Sequence, residues 1–442
     1  VSATVRFIPL GVLIAAAIAL PAVAQERPIY FTGAHLIPMT GPPIEDGIIL
    51  FHKGKIVGIG GKDEVVLPDD AEQIDVAGMY VLPGLIDTHS HIGGIGGADG
   101  SSPTQPDVRV FDSLNVRDSG FRRAWAGGMT TLNIMPGSGH LLSGQTVYVK
   151  LRPGARSIDD IMYRDADGNP LGGMKMANGT NSMRNAPFPG TRAKSAAIVR
   201  NMFIGAQEYG DKLRRAGDDA AKKPDRDLAK EALLEVLSGK RVVHHHTHRA
   251  DDIMTVLRLK EEFGFRCVLH HVSEAWKIAD QIAAANVPCS VILIDSPGGK
   301  LEAAELSLET CAILERAGVK VAIHTDDWIN DSRLFLRMGA MAVRGGMSRE
   351  GALKALTLHG AEMLDLQDRI GSLEPGKDAD LCIVAGDPFG IGGKVMQTWV
   401  EGKLVFDRTR EEDRLYAVGG YGAGNDTHPY MCCAPHQHEE GE

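Results

Sequence analysis

The stretch VLPGLIDTHSH, Val81 to His91, is where the chain changes texture. Upstream, from Arg27 to Tyr80, runs such as IYFTGAHLI, GIILFHKGKIVGIG and AEQIDVAGMYVLP alternate apolar residues with Gly, Pro and Asp-Gly breaks, the pattern of a β meander. Downstream, from Gly84 to near Leu366, short apolar runs alternate with helical stretches: DLAKEALLEVLSG, ADDIMTVLRLKEEFG, WKIADQIAAAN and AAELSLETCAILERAG. That alternation predicts βα units on a parallel sheet, and about 280 residues of it suit an α/β fold of the (β/α)8 TIM-barrel type. The β texture returns near Arg369 in IGSLEPGKDADLCIVAGDP and KVMQTWVEGKLVFD. The two β-rich ends are therefore expected to form one small β-sandwich domain, 25–83 together with 367–410, beside a barrel over 84–366.

The 442 residues, 43% hydrophobic and 24% charged, suffice for one full core and a smaller second one. The net charge of −10 comes with no basic stripe, which argues against nucleic acid as a partner. The first 24 residues carry one cation, Arg6, and an apolar run that stops at Ala22-Val23-Ala24, a small-x-small cleavage pattern. They read as a Sec-type signal peptide, 1–24, whose removal would leave a charge of −11 and a periplasmic or secreted protein. An uncleaved N-terminal anchor is the alternative, and no later segment is long and apolar enough to span a bilayer. Cys267, Cys289, Cys311 and Cys382 sit singly in apolar or helical patterns and are expected to be buried free thiols. Residues 411–442 are expected to be a flexible polar tail, whose MCCAPHQH run offers Cys432, Cys433, His436 and His438 either to a soft metal or to nothing.

Alternate residues of a strand share a face, so Asp87, His89 and His91 point one way, and at the C-terminal mouth of a barrel strand that way is into the site. RVVHHHTHRADDI, Arg241 to Ile253, puts His244, His246 and His248 on one face of another strand end. FRCVLHHVSEAWKIAD ends a third strand in His270 and His271, which by alternation face opposite ways, so at most one joins the cluster directly. In GVKVAIHTDDWIND, Ala322, His324 and Asp326 share a face. A carboxylate at the end of a buried strand must be paired, hydrogen-bonded or bound to metal. Imidazoles and a carboxylate from four strand ends make a hard N/O site that suits zinc or a similar divalent ion, with bonds of about 2.0–2.2 Å.

Together VLPGLIDTHSH, the barrel histidines, HTDD and the closing GSLEPGKDADLCIV resemble the amidohydrolase superfamily, specifically its imidazolonepropionase-like and secreted prolidase-like branch. The likeness covers nearly everything from Arg27 to Asp407. It implies that His89 and His91 bind the more buried of two zinc ions, that His246 and His271 bind the second, and that Asp326 closes the first site and shuttles the proton. It takes His246 over His248 from the H-x-H-R-A-D-D run, and His271 over His270 from the H-x-x-E-A pattern. It also implies that Lys175, in LGGMKMANG, is carboxylated by CO2 and bridges the ions, since burial would favour the neutral, reactive amine. A lysine reaching solvent from a strand end is the other reading. The implied reaction is hydrolysis of a carbon–nitrogen bond in an amide, cyclic amide or short peptide by metal-activated water, with Asp326 as general base and then acid. An ester or lactone hydrolase on the same site, and a non-catalytic periplasmic metal- or ligand-binding protein, are the alternatives.

Around this set, His140, His248 and Arg249 are candidates for touching substrate. Arg249, Asp251 and Asp252 could instead orient ligands or cap a helix. Arg192 and Arg200 could anchor a substrate carboxylate or be solvated helix charges. The glycine-rich IGGIGGADGSS, Ile92 to Ser102, lacks the strand–G-x-G-x-x-G–helix context of a dinucleotide site and reads as a loop over the barrel mouth or a passive connection. The expected partner is a small molecule or short peptide, and pairing of subunits into a homo-oligomer stays open.

Overall fold

The computed structural model describes residues 27–95, 99–294, 300–327, 329–420 and 423. The expected signal peptide, residues 96–98 of the glycine-rich loop and the Cys/His run near the C-terminus lie outside these.

Five strands come from the N-terminal segment: β1 (Ile29–Leu36), β2 (Ile44–His52), β3 (Lys55–Gly60), β4 (Glu72–Asp75) and β5 (Met79–Pro83). Nine follow: β6 (Leu85–Ser90), β7 (Met129–Ile134), β8 (Leu142–Gln145), β9 (Val147–Lys150), β10 (Met174–Ala177), β11 (Val243–Thr247), β12 (Cys267–His271), β13 (Cys289–Val291) and β14 (Val321–Ile323). β15 (Leu381–Ala385), β16 (Lys394–Val400) and β17 (Lys403–Asp407) complete the described strands.

β15 pairs with β5, so both ends of the chain share a sheet, in the order β17-β16-β15-β5-β1-β2-β3 with β4 on β1. By hydrogen bonding this is one eight-stranded sheet built from both ends of the chain, which by itself does not establish the expected sandwich. It curls strongly. Phe51 on β2 and Trp399 on β16 are four strand spacings apart, about 19 Å on a flat sheet, yet their ring centroids lie 5.8 Å apart. Phe31 completes an edge-to-face trio at 5.1 and 5.3 Å, and Val81 and Leu381 join the enclosed core.

β10 to β14 run parallel in chain order, with β8 antiparallel on the β10 edge, while β6 and β7 form a second parallel pair with β9 antiparallel on β7. The short β8–β9 connection links the two sheets, Thr146 N–H donating to the Gly173 carbonyl at 3.0 Å. At the opposite edge Asp326 N–H donates to the His89 carbonyl at 3.0 Å, which brings the end of β14 to the end of β6. The parallel strands are buried on both faces, which is why they read as apolar runs rather than as alternations. The helix Ala250–Phe263 after β11 typifies the βα units: Asp251 and Asp252 complement the dipole of its first turn, and Gly264 ends it at φ +74°. Phe263 stacks on Phe203, which also stacks on Phe265, in the main core.

Two features join the terminal sheet to the rest. Gly84, between β5 and β6, packs so closely on β7 that a Cβ there would lie 2.2 Å from Thr130 Oγ1. Lys150, fully buried at the end of β9, is bonded to Asp378 and lies 2.9 Å from Asp380, while Asp378 also holds Lys55 at 2.6 Å and Arg369 at 3.3 Å. Burial opposes the Lys150 charge, but these carboxylates outweigh it and hold the amine well above its ordinary range.

The expected flexible tail begins as structure. Glu411–Val418 form a helix, with Arg122 over the Tyr416 ring at 4.4 Å and Asp407 N–H donating to Asp413 at 3.1 Å. Polarity alone misled the reading, because this helix is held by its contacts rather than by an apolar stripe. Cys267, Cys289, Cys311 and Cys382 are buried and free, as expected. Among the described residues no helix is long and apolar enough to cross a membrane.

Candidate metal centre and active site

Four polar atoms converge where β6, β10 and the residues after β14 meet. His91 Nε2 lies 2.9 Å from Asp326 Oδ1 and 3.2 Å from His89 Nε2, and His89 Nε2 lies 3.4 Å from the same oxygen. Lys175 Nζ is 2.9 Å from His89 Nε2. All four side chains are buried. The far nitrogen of His91 is fixed by the Met135 carbonyl at 2.8 Å, so its Nε2 is the one turned to the cluster. Glycines make room beside Lys175: a Cβ at Gly173 would lie 2.3 Å from the His244 ring.

A second group adjoins the first. One ring nitrogen each of His246, His248 and His271 fall within 4.8 Å of one another, as do ligand atoms of His89, His271 and Asp326. His246 Nδ1, His248 Nε2 and His271 Nε2 are buried with no hydrogen-bond partner. Buried imidazole nitrogens without partners are costly unless something else engages them. A divalent cation fits both groups: the donors are imidazole nitrogen and carboxylate oxygen, close enough together to share an ion.

The structure brings together all six expected ligands, His89, His91, Lys175, His246, His271 and Asp326. It also corrects the strand-alternation reading of His270 and His271. Both face the cluster, His270 with its ring 5.0 Å from that of His89 and His271 at 4.8 Å. The reason is backbone: His271 has φ +70° and Val272 φ +49°, so β12 ends in a left-handed twist that swings the last side chain round. Asp326 shares this trait at φ +50°. Non-glycine residues held there cost free energy and persist where the surroundings enforce them, commonly at functional sites.

Further residues complete the site that sequence reasoning did not assign. His324 Nε2 is 3.3 Å from His271 Nδ1, and its Nδ1 meets Ser290 Oγ at 2.7 Å. Beneath, Tyr148 OH, His244 and His270 form a chain at 3.0 and 2.9 Å. Asn181 is 3.0 Å from His246 Nε2 and Ser273 Oγ 2.7 Å from His248 Nδ1. Asp87 accepts from Thr325 N–H at 3.2 Å and also from its hydroxyl, tying the backbone next to Asp326 to β6. His324 shares its strand face with Asp326 in the sequence, whereas Asn181 and Ser273 carry no periodic signal at all.

Arg192 and Arg200 are committed to carboxylates within the fold, Arg192 to Asp252 at 2.8 Å and Glu302 at 3.3 Å, Arg200 to Glu262 at 2.8 Å. Arg249 is half-buried and pairs with Asp251 at 2.8 Å. His140 is buried against the Phe188 ring, centroids 5.2 Å apart, and Arg184 lies 3.7 Å over that ring while donating to the Gly139 carbonyl at 2.6 Å. Among the described residues Arg184 has no ion-pair partner, and burial alone lowers its pKa. The charge of Lys300 reaches both His246 and His248.

Burial keeps the imidazoles neutral. His244, His248 and His324 are pushed down to about 3 and His245 to about 4, while His89, His246, His270 and His271 lie well below the ordinary range. Burial pushes Asp326 the other way, but the hydrogen bond and charge of His91, then His324 and Lys175, hold its carboxyl well below the usual carboxylate range. Such histidines contribute stability that is complete above 6.5, their ordinary value, and is lost as pH falls toward the folded values. Asp87, raised by burial to about 7, works oppositely: its contribution is complete below 3.8 and lost as pH rises through 7. The histidines outnumber it, so the metal-free protein is expected to lose melting temperature steeply from pH 6.5 to 4. Calorimetry of chelator-dialysed protein across that range checks this, and a flat melting temperature would mean that water already reaches these rings.

An amidohydrolase from Thermotoga maritima MSB8, a solved structure, superimposes with a TM-score of 0.80 at 35% identity, over 86% of this chain and 100% of that one. This chain belongs to the amidohydrolase superfamily. The sequence profile of the Amidohydrolase family matches residues 234–406 of this amidohydrolase, which carry His246, His271 and Asp326. Amidohydrolase tasK of Hapsidospora irregularis is 26% identical over 82% of this chain, which spans only 40% of that relative's length. The imidazolonepropionase of Micrococcus luteus is 24% identical over 78% of this chain and 88% of its own. The protein is an imidazolonepropionase-like amidohydrolase, and hence a hydrolase acting on carbon–nitrogen bonds.

Proposed function

We propose that this amidohydrolase is a metal-dependent enzyme that cleaves the carbon–nitrogen bond of a small cyclic or linear amide bearing a carboxylate, such as an N-acyl amino acid or a dipeptide. The observation that carries the reading is the convergence of His89 Nε2, His91 Nε2, Lys175 Nζ and Asp326 Oδ1 beside the unpartnered nitrogens of His246 and His271. In this reading the parallel strands among β6 to β14 belong to a (β/α)8 barrel over 84–366, flanked by a domain from 25–83 and 367–410, and a signal peptide, 1–24, delivers the enzyme to the periplasm or beyond.

His89, His91 and Asp326 would hold one zinc ion and His246 and His271 a second. Lys175 would bridge them once its neutral amine has added to CO2, forming a carbamate and releasing one proton. Ions bound there supply Lewis acidity, which brings loss of a water proton toward neutral pH and polarises a carbonyl. Asp326, ionised and 2.9 Å from His91 Nε2, takes the proton from the attacking water and returns it to the leaving nitrogen. Left-handed backbone at Asp326 and its N–H bond to the His89 carbonyl hold that carboxylate against the β6 histidines. Arg184, stacked on Phe188 beside His140, is placed to receive a substrate carboxylate, because Arg192, Arg200 and Arg249 are already paired.

The test is turnover on dipeptides, N-acyl amino acids and cyclic amides, each with an uncharged amide or ester counterpart of its carboxylate. Expected is hydrolysis of the carboxylate-bearing members, with Arg184→Gln raising KM about tenfold or more, the worth of one lost charge-assisted contact. Turnover confined to esters and lactones would favour that alternative. Two bound ions with no turnover on any substrate would favour a binding protein.

A further inference from the structure

We propose that His248 is a third imidazole ligand of the second ion, so that this ion is held by nitrogen alone and does not need the lysine bridge. The proposal rests on the two-ion reading above and goes beyond its ligand set, which gives the second ion only His246 and His271. Each of the three rings has one nitrogen engaged and the other bare. His246 Nε2 is 3.0 Å from Asn181 Nδ2, leaving Nδ1; His248 Nδ1 meets Ser273 Oγ at 2.7 Å, leaving Nε2; His271 Nδ1 is 3.3 Å from His324 Nε2, leaving Nε2. The rings are mutual neighbours, with centroids 4.7 Å apart for His246 and His248, 4.2 Å for His246 and His271, and 5.2 Å for His248 and His271. One nitrogen from each lies within 4.8 Å of the other two, against a spacing of about 3.3 Å between nitrogens around tetrahedral zinc.

A neighbouring trio differs in this respect. His89, His270 and His324 are as close, yet both nitrogens of His324 are engaged, by Ser290 and His271, so that group cannot offer three bare nitrogens. The His246–His248–His271 group can. Fixing the far nitrogen of a ligating histidine by an outer partner is the usual arrangement at metal sites, and Ser273 supplies it for His248.

The experiment uses the full chain, stripped of metal and titrated with Co2+ and then Zn2+ against a chromophoric chelator. Metal content and the visible Co2+ spectrum, which reports coordination number, are read for wild type, Lys175→Ala, His248→Ala and Ser273→Ala. Expected are two ions in wild type, one ion still bound in Lys175→Ala with a tetrahedral spectrum, and a second ion bound at least about 100-fold more weakly in His248→Ala. Ser273→Ala, which keeps the ligand but loses its orienting partner, should weaken that ion about 10- to 100-fold and covers the case in which His248→Ala fails to fold. Two ions in wild type with unchanged affinity and spectrum in His248→Ala or Ser273→Ala overturn the His248 assignment alone. Fewer than two ions in wild type overturn it together with the two-ion reading.

Discussion

Asp326→Asn is expected to lower kcat about 10²- to 10⁴-fold, the usual worth of a general acid–base group, while keeping the fold. The substitution is chosen for its backbone. Asp326 sits at φ +50°, a region that Asn tolerates better than most residues, so the turn and its N–H bond to the His89 carbonyl should survive. What changes is the carboxylate. An amide at the position of Oδ1, 2.9 Å from His91 Nε2 and 3.4 Å from His89 Nε2, cannot take a proton from water or return one to nitrogen. Steady-state kinetics on the best substrate and a thermal melt together decide it: a variant within tenfold of wild-type kcat would remove Asp326 from the chemistry, whatever its place in the fold.

Removal of metal is expected to abolish turnover and to lower the melting temperature, both restored by zinc. Each ion present at about 1,000 times its Kd adds about 4 kcal/mol to folding stability, so stripping two ions has an effect comparable to a large part of a domain's net stability. The loss should shrink at acid pH, where protons compete with the ions for the imidazoles of His89, His246 and His271. The check is activity and differential scanning calorimetry on one sample before chelation, after it, and after zinc is returned. Most of the turnover surviving in a preparation shown to be free of metal would rule out a metal-dependent mechanism.

Local pattern carried much of the fold. The β meander before Pro83, the βα alternation after it and the return of strands near Leu381 are properties of residues a few positions apart, which propensity and periodicity report directly. How those β strands fold over one another was not legible, for the complementary reason. Whether eight strands form one curled sheet or two flat ones depends on Phe31, Phe51 and Trp399 meeting across the core, and nothing near any of them in the chain announces it. The buried cluster of Lys150 with Asp378 and Asp380 is equally invisible locally, since in sequence each is an ordinary charge.

The site divides along the same line. Histidines at strand ends were legible because the spacing His-x-His at His89 and His91, and the run from His244 to His248, have few uses in packing. The orientation of His271 was not legible, because alternation presumes extended backbone and this residue is left-handed. Nor was the choice among arginines: Arg184, Arg192 and Arg200 look alike in sequence, and only the fold shows that two of them face carboxylates.

By itself, then, the sequence determined which residues could bind a cation and that they stand at the ends of parallel strands, because strand pattern and side-chain chemistry are local. Only the tertiary structure decided which nitrogens are bare, which charges are already neutralised and where left-handed turns aim a ligand. Those depend on partners tens to hundreds of residues away, such as His89 with Lys175 and Asp87 with Thr325.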